Sequence, residues 1–184
     1  MKQLLFEVIK QVAEKDWKKT FKDNLLFFLK VFILSLLTVN FIGRVSIVKG
    51  SSMEPEIHTD ERILINLFVY RFDKPSRGDI IVFRYPLDPG REYIKRVVGI
   101  SGDKVAIKNG SVYINGTLLQ EHYVKLQDHG NMGIKTIPDN HLFVMGDNRI
   151  NSDDSRVFGF LPAANVRGKA FVVFWPLDRL RLIK

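Results

Sequence analysis

The chain has 184 residues, with 28 Lys and Arg against 20 Asp and Glu for a net charge of +8, and no cysteine. The lack of cysteine excludes a disulfide framework and thiolate metal sites. Residues 1–43 hold seven Lys against four acids, and the other 21 basic residues are dispersed among 16 acids rather than gathered in one run, which reads as a solvated basic surface and not a nucleic-acid footprint.

Residues 3 to 21 place apolar side chains at Leu5, Val8, Ile9, Val12, Trp17 and Phe21 between lysines, the pattern of a helix that extends toward a membrane interface. Asn24 to Ile42 follows as nineteen residues with one charge, Lys30. At about 1.5 Å per residue that run matches the ~30 Å hydrocarbon layer, and Lys30, in its first two turns, can reach back to the headgroups. It reads as a transmembrane helix rather than a buried soluble one. A cleaved leader is disfavoured, because more than twenty residues precede the run and Val39-Asn40-Phe41-Ile42-Gly43 has no small-x-small site. Lys15, Lys18, Lys19 and Lys22 put the N-terminus in the cytoplasm and the rest of the chain across the membrane. The expected organisation is a cytoplasmic segment at 1–23, an anchor at 24–43 and an extracytoplasmic domain at 44–184, with a smaller hairpin-rich part at about 103–140.

Beyond the anchor the period changes. Short runs rich in β-branched and aromatic residues at Arg62–Val69, Asp79–Phe83, Glu92–Val98, Lys104–Lys108, Ser111–Ile114, His141–Met145 and Lys169–Phe174 predict strands. Asn109-Gly110 lies at two-residue hairpin spacing and Asn115-Gly116 marks another tight turn. The fold class expected is mostly β, an antiparallel domain behind one N-terminal transmembrane helix.

Ser52 stands in Gly50-Ser51-Ser52-Met53-Glu54-Pro55 and Lys95 in Tyr93-Ile94-Lys95-Arg96-Val97-Val98-Gly99. A serine needs a base, and a lysine can be that base only when its amine is neutral, which burial among apolar neighbours can achieve. If Lys95 faces the same side as Tyr93 and Val97, it points into an apolar environment while Ile94 and Arg96 face away. Taken singly, Ser52 reads as a turn residue and Lys95 as an ordinary strand lysine.

Together with Arg77-Gly78-Asp79-Ile80-Ile81-Val82-Phe83, with Gly102-Asp103 and with the run Gly146 to Gly159, these two segments form four boxes in an order that resembles the bacterial type I signal peptidases. The resemblance implies a membrane-bound serine endopeptidase that removes leader peptides from exported precursors, cutting after small residues through an acyl-enzyme. It implies Ser52 as nucleophile, Lys95 as general base and Ser152 as the hydroxyl that orients the lysine amine. Asp147, Asn148, Asp154 and Arg156 take supporting roles, Asp154 and Arg156 as an ion pair, and Met53, Ile57, Tyr93 and Ile94 match positions that line the pocket for the small residue. The partners implied are signal-peptide-bearing precursors and the lipid bilayer, with no nucleic acid, cofactor or metal. The chain departs from the family in Glu56, a carboxylate where the box usually continues with threonine, and carries Gly50 where some members have a hydroxyl for the oxyanion. Ser52 lies nine residues after Gly43, which predicts a site close to the bilayer surface.

Two other readings stay open. A narrower processing protease of the same architecture would share every box, and a catalytically dead, membrane-tethered binding domain is conceivable. His58, His122, His129 and His141 show no metal-binding spacing. Asp128-His129 offers a Ser-His-Asp alternative on composition alone.

Overall fold

The computed structural model describes residues 2–183, with side chains except at 2, 4, 5, 8–16, 18 and 37–42. The sequence readings at Leu5, Val8, Ile9, Val12, Lys15 and Lys18, and over the last residues of the anchor run, lie outside the described side chains. Two units are distinguished, one ending at Phe41 and one starting at Ile42. The first is formed by a single helix, α1 (Lys2–Ile42), whose last residue belongs to the second. Among the described residues no helix is long and apolar enough to cross a membrane. Gly43, expected to close the anchor, instead opens the first strand.

The second unit is built from twelve strands: β1 (Gly43–Ile47), β2 (Arg62–Asn66), β3 (Ile80–Tyr85), β4 (Asp88–Gly99), β5 (Lys104–Lys108), β6 (Ser111–Ile114), β7 (Thr117–Leu118), β8 (Met132–Thr136), β9 (His141–Met145), β10 (Leu161–Pro162), β11 (Val166–Trp175) and β12 (Arg181–Leu182), with one short helix, α2 (Ser155–Phe158). The large sheet runs β1-β2-β11-β3-β4-β9-β10, with β12 on β11, and the small one runs β7-β6-β5-β8. Each pairing is antiparallel, so the mostly antiparallel β class stands.

The strand expected over Arg62–Val69 ends at Asn66 for a local reason. The Asn66 side-chain oxygen accepts the N–H groups of Phe68 (2.9 Å) and Val69 (3.0 Å), turning the chain out of the sheet. β4 starts earlier than expected because its first residues turn back on β3, with Tyr85 opposite Asp88.

Alternation along β3 and β4 divides the core. Val48, Met53, Ile57, Ile63, Ile65, Ile80 and Val82 pack together with Ala170 and Val173 on one side. Ile81, Phe83, Val97, Leu142, Val144 and Leu161 form the other. A third cluster joins Val98, Phe143 and Met145 of the large sheet to Val105, Ile107, Val112 and Ile114 of the small one, fixing the two sheets to each other through buried apolar surface.

Candidate active site

β1 leads into a tight turn that carries Ser52. Gly50 enters it at φ +93°, a conformation glycine adopts without steric cost. Glu54 N–H donates to Ser51 O (3.1 Å) and Ile57 N–H to Met53 O (2.9 Å). Met53 and Ile57 are fully buried in the core beneath, so the turn is pinned from below while Ser52 stays half-exposed. The Ser52 carbonyl accepts Asn148 N–H at 3.1 Å. Asn148 Nδ2 donates to Ser51 O at 3.2 Å and Asn151 Nδ2 to Ser51 Oγ at 2.8 Å.

Lys95 comes from β4, opposite Ile81 of β3. It is 4% exposed. Its Nζ lies 2.8 Å from Ser52 Oγ and 3.0 Å from Ile94 O, donating to both, and 5.3 Å from the centre of the Tyr93 ring. Lys95 forms no ion pair among the described residues. Asp147 is engaged by Arg96 through Nε (2.9 Å) and Nη2 (2.7 Å), and Asp154 by Arg156 through Nε (2.9 Å) and Nη2 (2.8 Å). Burial therefore dominates and pulls the ammonium down to about 8, with Asp154, Asp153 and Asp147 only partly restoring it.

Ser152 sits against Gly146, where an added methyl group would collide with Ser152 Oγ and with the Ser52 carbonyl oxygen. Ser152 Oγ is buried and near enough to Asp154 to help lower that carboxyl. It completes no well-formed hydrogen bond with a described residue, Lys95 included. The orientation of the amine expected from Ser152 is supplied here by Ser52 Oγ and Ile94 O.

A cavity of about 810 Å³ opens beside the Ser52–Lys95 contact, lined by residues 46–52 and 90–95 with Ile63, Val82, Asn151 and Asp153. Tyr93 and Ile94 reach it as expected. Met53 and Ile57 do not line it; they lie under the turn in the core, because their side chains point inward to anchor it. Ile63 and Val82, alternate residues of β2 and β3, supply apolar lining that the motifs do not mark. Glu56 does not line the cavity either, and its charge is felt by the Arg96–Asp147 pair. Arg96 does turn away from Lys95, yet into the protein: it is 3% exposed, and its Nη1 also donates to Gly78 O at 3.0 Å.

The pair can carry out nucleophilic catalysis. Once neutral, the Lys95 amine can take the Ser52 hydroxyl proton across the 2.8 Å contact. The Ser52 N–H has no partner among the described residues, leaving it available to a developing oxyanion.

Residues 21–175 match the family model described as signal peptidase, peptidase S26. The probable signal peptidase I-2 of Synechocystis sp. is 38% identical over 157 residues, covering 82% of this chain and 72% of that protein. Signal peptidase I P of Bacillus subtilis subsp. natto is 34% identical over 184 residues, covering 92% and 99%. A solved signal peptidase I from Enterococcus faecalis V583 is 36% identical and covers 53% of this chain and 97% of its own, with a TM-score of 0.47.

Proposed function

Because the chain belongs to the signal peptidase family, peptidase S26, we propose that Ser52 and Lys95 are the dyad with which it works. The enzyme is a serine endopeptidase of the type I signal peptidase kind and removes signal peptides from precursor proteins. The observation that carries the assignment is the 2.8 Å contact between Ser52 Oγ and the amine of Lys95, a residue 4% exposed and without an ion pair among the described residues.

In the reaction, neutral Lys95 accepts the Ser52 hydroxyl proton as Oγ attacks the scissile carbonyl carbon. The oxyanion is met by the Ser52 N–H. Collapse breaks the peptide C–N bond, Lys95 returns the proton to the departing amine, and the leader remains as an ester on Ser52. Water, deprotonated by Lys95, then hydrolyses the ester and restores the serine. Asn148, which holds the Ser52 carbonyl, and the Asp154–Arg156 pair, which holds Gly146 beside Ser52 and Ser152, support the serine side of this site, and Asp147 supports the lysine strand through Arg96.

The substrate lies extended in the cavity. Among the described residues β1 pairs with β2 alone, and Ser46 and Ile47 of β1, the following Val48 and Lys49, and residues 90–95 of β4 face the same opening, so a peptide can join by strand addition with alternate side chains entering the wall. Tyr93 and Ile94, with Ile63 and Val82, leave a shallow apolar surface that suits a small residue before the cut.

Residues 24–42 anchor the enzyme as one membrane helix, with 1–23 in the cytoplasm and 43–184 on the exported side, so the bilayer is a partner. Support comes from exposed apolar side chains at the consecutive positions Leu25 to Leu29 and Val31 to Leu34, which encircle the helix instead of forming one stripe. A cysteine placed at Lys10 stays unreactive toward an impermeant maleimide in sealed cells, and labelling there contradicts the orientation.

The assignment is tested by trapping. A leader-bearing peptide ester incubated with the enzyme in detergent and quenched in acid leaves its acyl group on the Ser52 peptide, as read by mass spectrometry. Acyl label on another residue, or cleavage with none at Ser52 in the Lys95-intact enzyme, overturns it.

A further inference from the structure

Residues 119–131 join β7 to β8 without a strand or helix, and none of the four boxes runs through them. This segment nonetheless holds the arginines around the site. Glu121 accepts from Arg149 Nη1 at 3.1 Å and Nη2 at 2.5 Å, and Arg149 N–H donates to Leu126 O at 3.0 Å. Asp128 accepts from Arg156 Nη1 at 2.6 Å. Tyr123, whose hydroxyl donates to Glu121 at 2.8 Å, lies with its ring centre 4.0 Å from the Arg96 guanidinium.

These contacts converge on Gly146. Arg149 Nε donates to its carbonyl at 3.0 Å, and its N–H donates at 3.1 Å to the Asp154 oxygen that Arg156 Nη2 also holds. Gly146 is the residue against which Ser152 Oγ and the Ser52 carbonyl are packed too closely for any side chain. Both polar groups of this residue are therefore gripped, and each grip ends on a carboxylate of the 119–131 segment. The segment is itself tied to the β5–β6 turn: Gly110 N–H donates to Gly130 O at 2.9 Å, and the missing Gly110 side chain makes room for the Asp128 carbonyl.

We propose that residues 119–131 are a positioning strap for the catalytic site, in which Glu121 and Asp128, without touching substrate, hold Gly146 and through it Ser52 and Ser152 in register with Lys95. The inference rests on the reading of Ser52 and Lys95 given above. Catalytic geometry tolerates little drift, a misplacement of about 1 Å costing on the order of 100-fold in rate. A strap that is lost in part should therefore cost turnover before it costs binding.

The test measures kcat and KM for a leader-bearing precursor with full-length enzyme in detergent, well below each variant's melting temperature. Asp128→Asn and Glu121→Gln each lower kcat about tenfold with KM within about twofold, a split expected when positioning is lost and binding is not. Asp128→Glu, which keeps the charge, recovers most of the turnover. Gly110→Ala, which changes none of the four boxes, reproduces the loss by displacing the Asp128 backbone, and it decides the matter together with Asp128→Glu if either charge-neutral variant does not fold. Turnover within about twofold of wild type in the folded variants overturns the strap, as does a rise in KM with kcat unchanged, which means that the segment meets substrate instead. Ser52→Ala is run alongside: if it still cleaves, the dyad is wrong, and if it is dead while the strap variants are unaffected, only the strap is wrong.

Discussion

Lys95 and Arg96 are neighbours on β4, both cationic side chains and both almost fully buried at 4% and 3% exposure, yet the two faces of the strand treat them in opposite ways. Arg96 meets the Asp147 carboxylate with two hydrogen bonds, the Gly78 carbonyl with a third and the Tyr123 ring with its flat side. Desolvation works against its charge, but these partners outweigh it and hold the guanidinium above its usual range. Lys95 meets a hydroxyl, a backbone carbonyl and, at 5.3 Å, the Tyr93 ring, with no ion pair among the described residues. Of its nearby carboxylates, Asp147 and Asp154 are engaged by arginines and Asp153 lies 3.5 Å from the Tyr93 hydroxyl, so burial wins and the amine falls to about 8. Burial alone does not make a base; burial with the counter-charges already taken does.

The largest effect that can break this contrast is on turnover. Ser52→Ala and Lys95→Ala should each lower cleavage of a leader-bearing precursor by about 10⁴-fold or more while leaving the domain folded, and the double variant should be no worse than either single one, because members of one catalytic unit are non-additive. Precursor cleavage by purified protein from a host lacking wild-type enzyme checks this, and substantial turnover by Lys95→Ala would remove the lysine from its role.

On the other face the cost is paid in stability. Asp147→Asn leaves Arg96 buried without its bidentate partner and should destabilise the fold by about 3 to 5 kcal/mol. For a domain of this size that is a fall in melting temperature of roughly 6 °C or more, read by thermal unfolding. A change under about 2 °C would show that Arg96 is not held by this pair.

Replacing Lys95 should do the reverse. Its pKa is lowered on folding from the ordinary value of about 10.4 to about 8. Between those two values the unfolded chain binds the proton and the folded one does not, so the lysine's contribution to stability rises with pH across that window, and at pH 7 the buried ammonium costs up to about 3 kcal/mol. Lys95→Met should accordingly stabilise the protein at pH 7, and the advantage should shrink as pH rises from about 8 toward 10.4. Denaturant unfolding at both ends of the window measures it, and equal gains at the two ends would deny that the amine ionises differently in the folded state.

How much of this was legible beforehand differs between the strands and the site. β5, β6 and β9 were readable to the residue, since each has buried residues bounded by turn signals such as Asn109-Gly110. β1 and β8 were not, because their side chains are largely exposed and no alternation betrays them. Ser52 and Lys95, 43 residues apart and 2.8 Å from each other in space, were recognisable only through the motifs around them. The apolar neighbours of Ser52 lie elsewhere than a linear motif suggests: Met53 and Ile57 look like pocket lining, but whether an apolar side chain lines a wall or lies beneath it depends on tertiary packing. The partners of the arginines were invisible for a similar reason. Arg96–Asp147, Arg149–Glu121 and Arg156–Asp128 bridge 51, 28 and 28 residues, and no local pattern links such distant charges.

Lys95 approaches neutrality near working pH because it is buried without an ion pair among the described residues. The most direct test is the titration of the Lys95 Cε resonance in lysine-labelled enzyme in detergent, assigned by its disappearance in Lys95→Met. The expected inflection lies near 8, against about 10.4 for a lysine free in solution. A Lys95 resonance that titrates near 10.4, as a free lysine does, would contradict it.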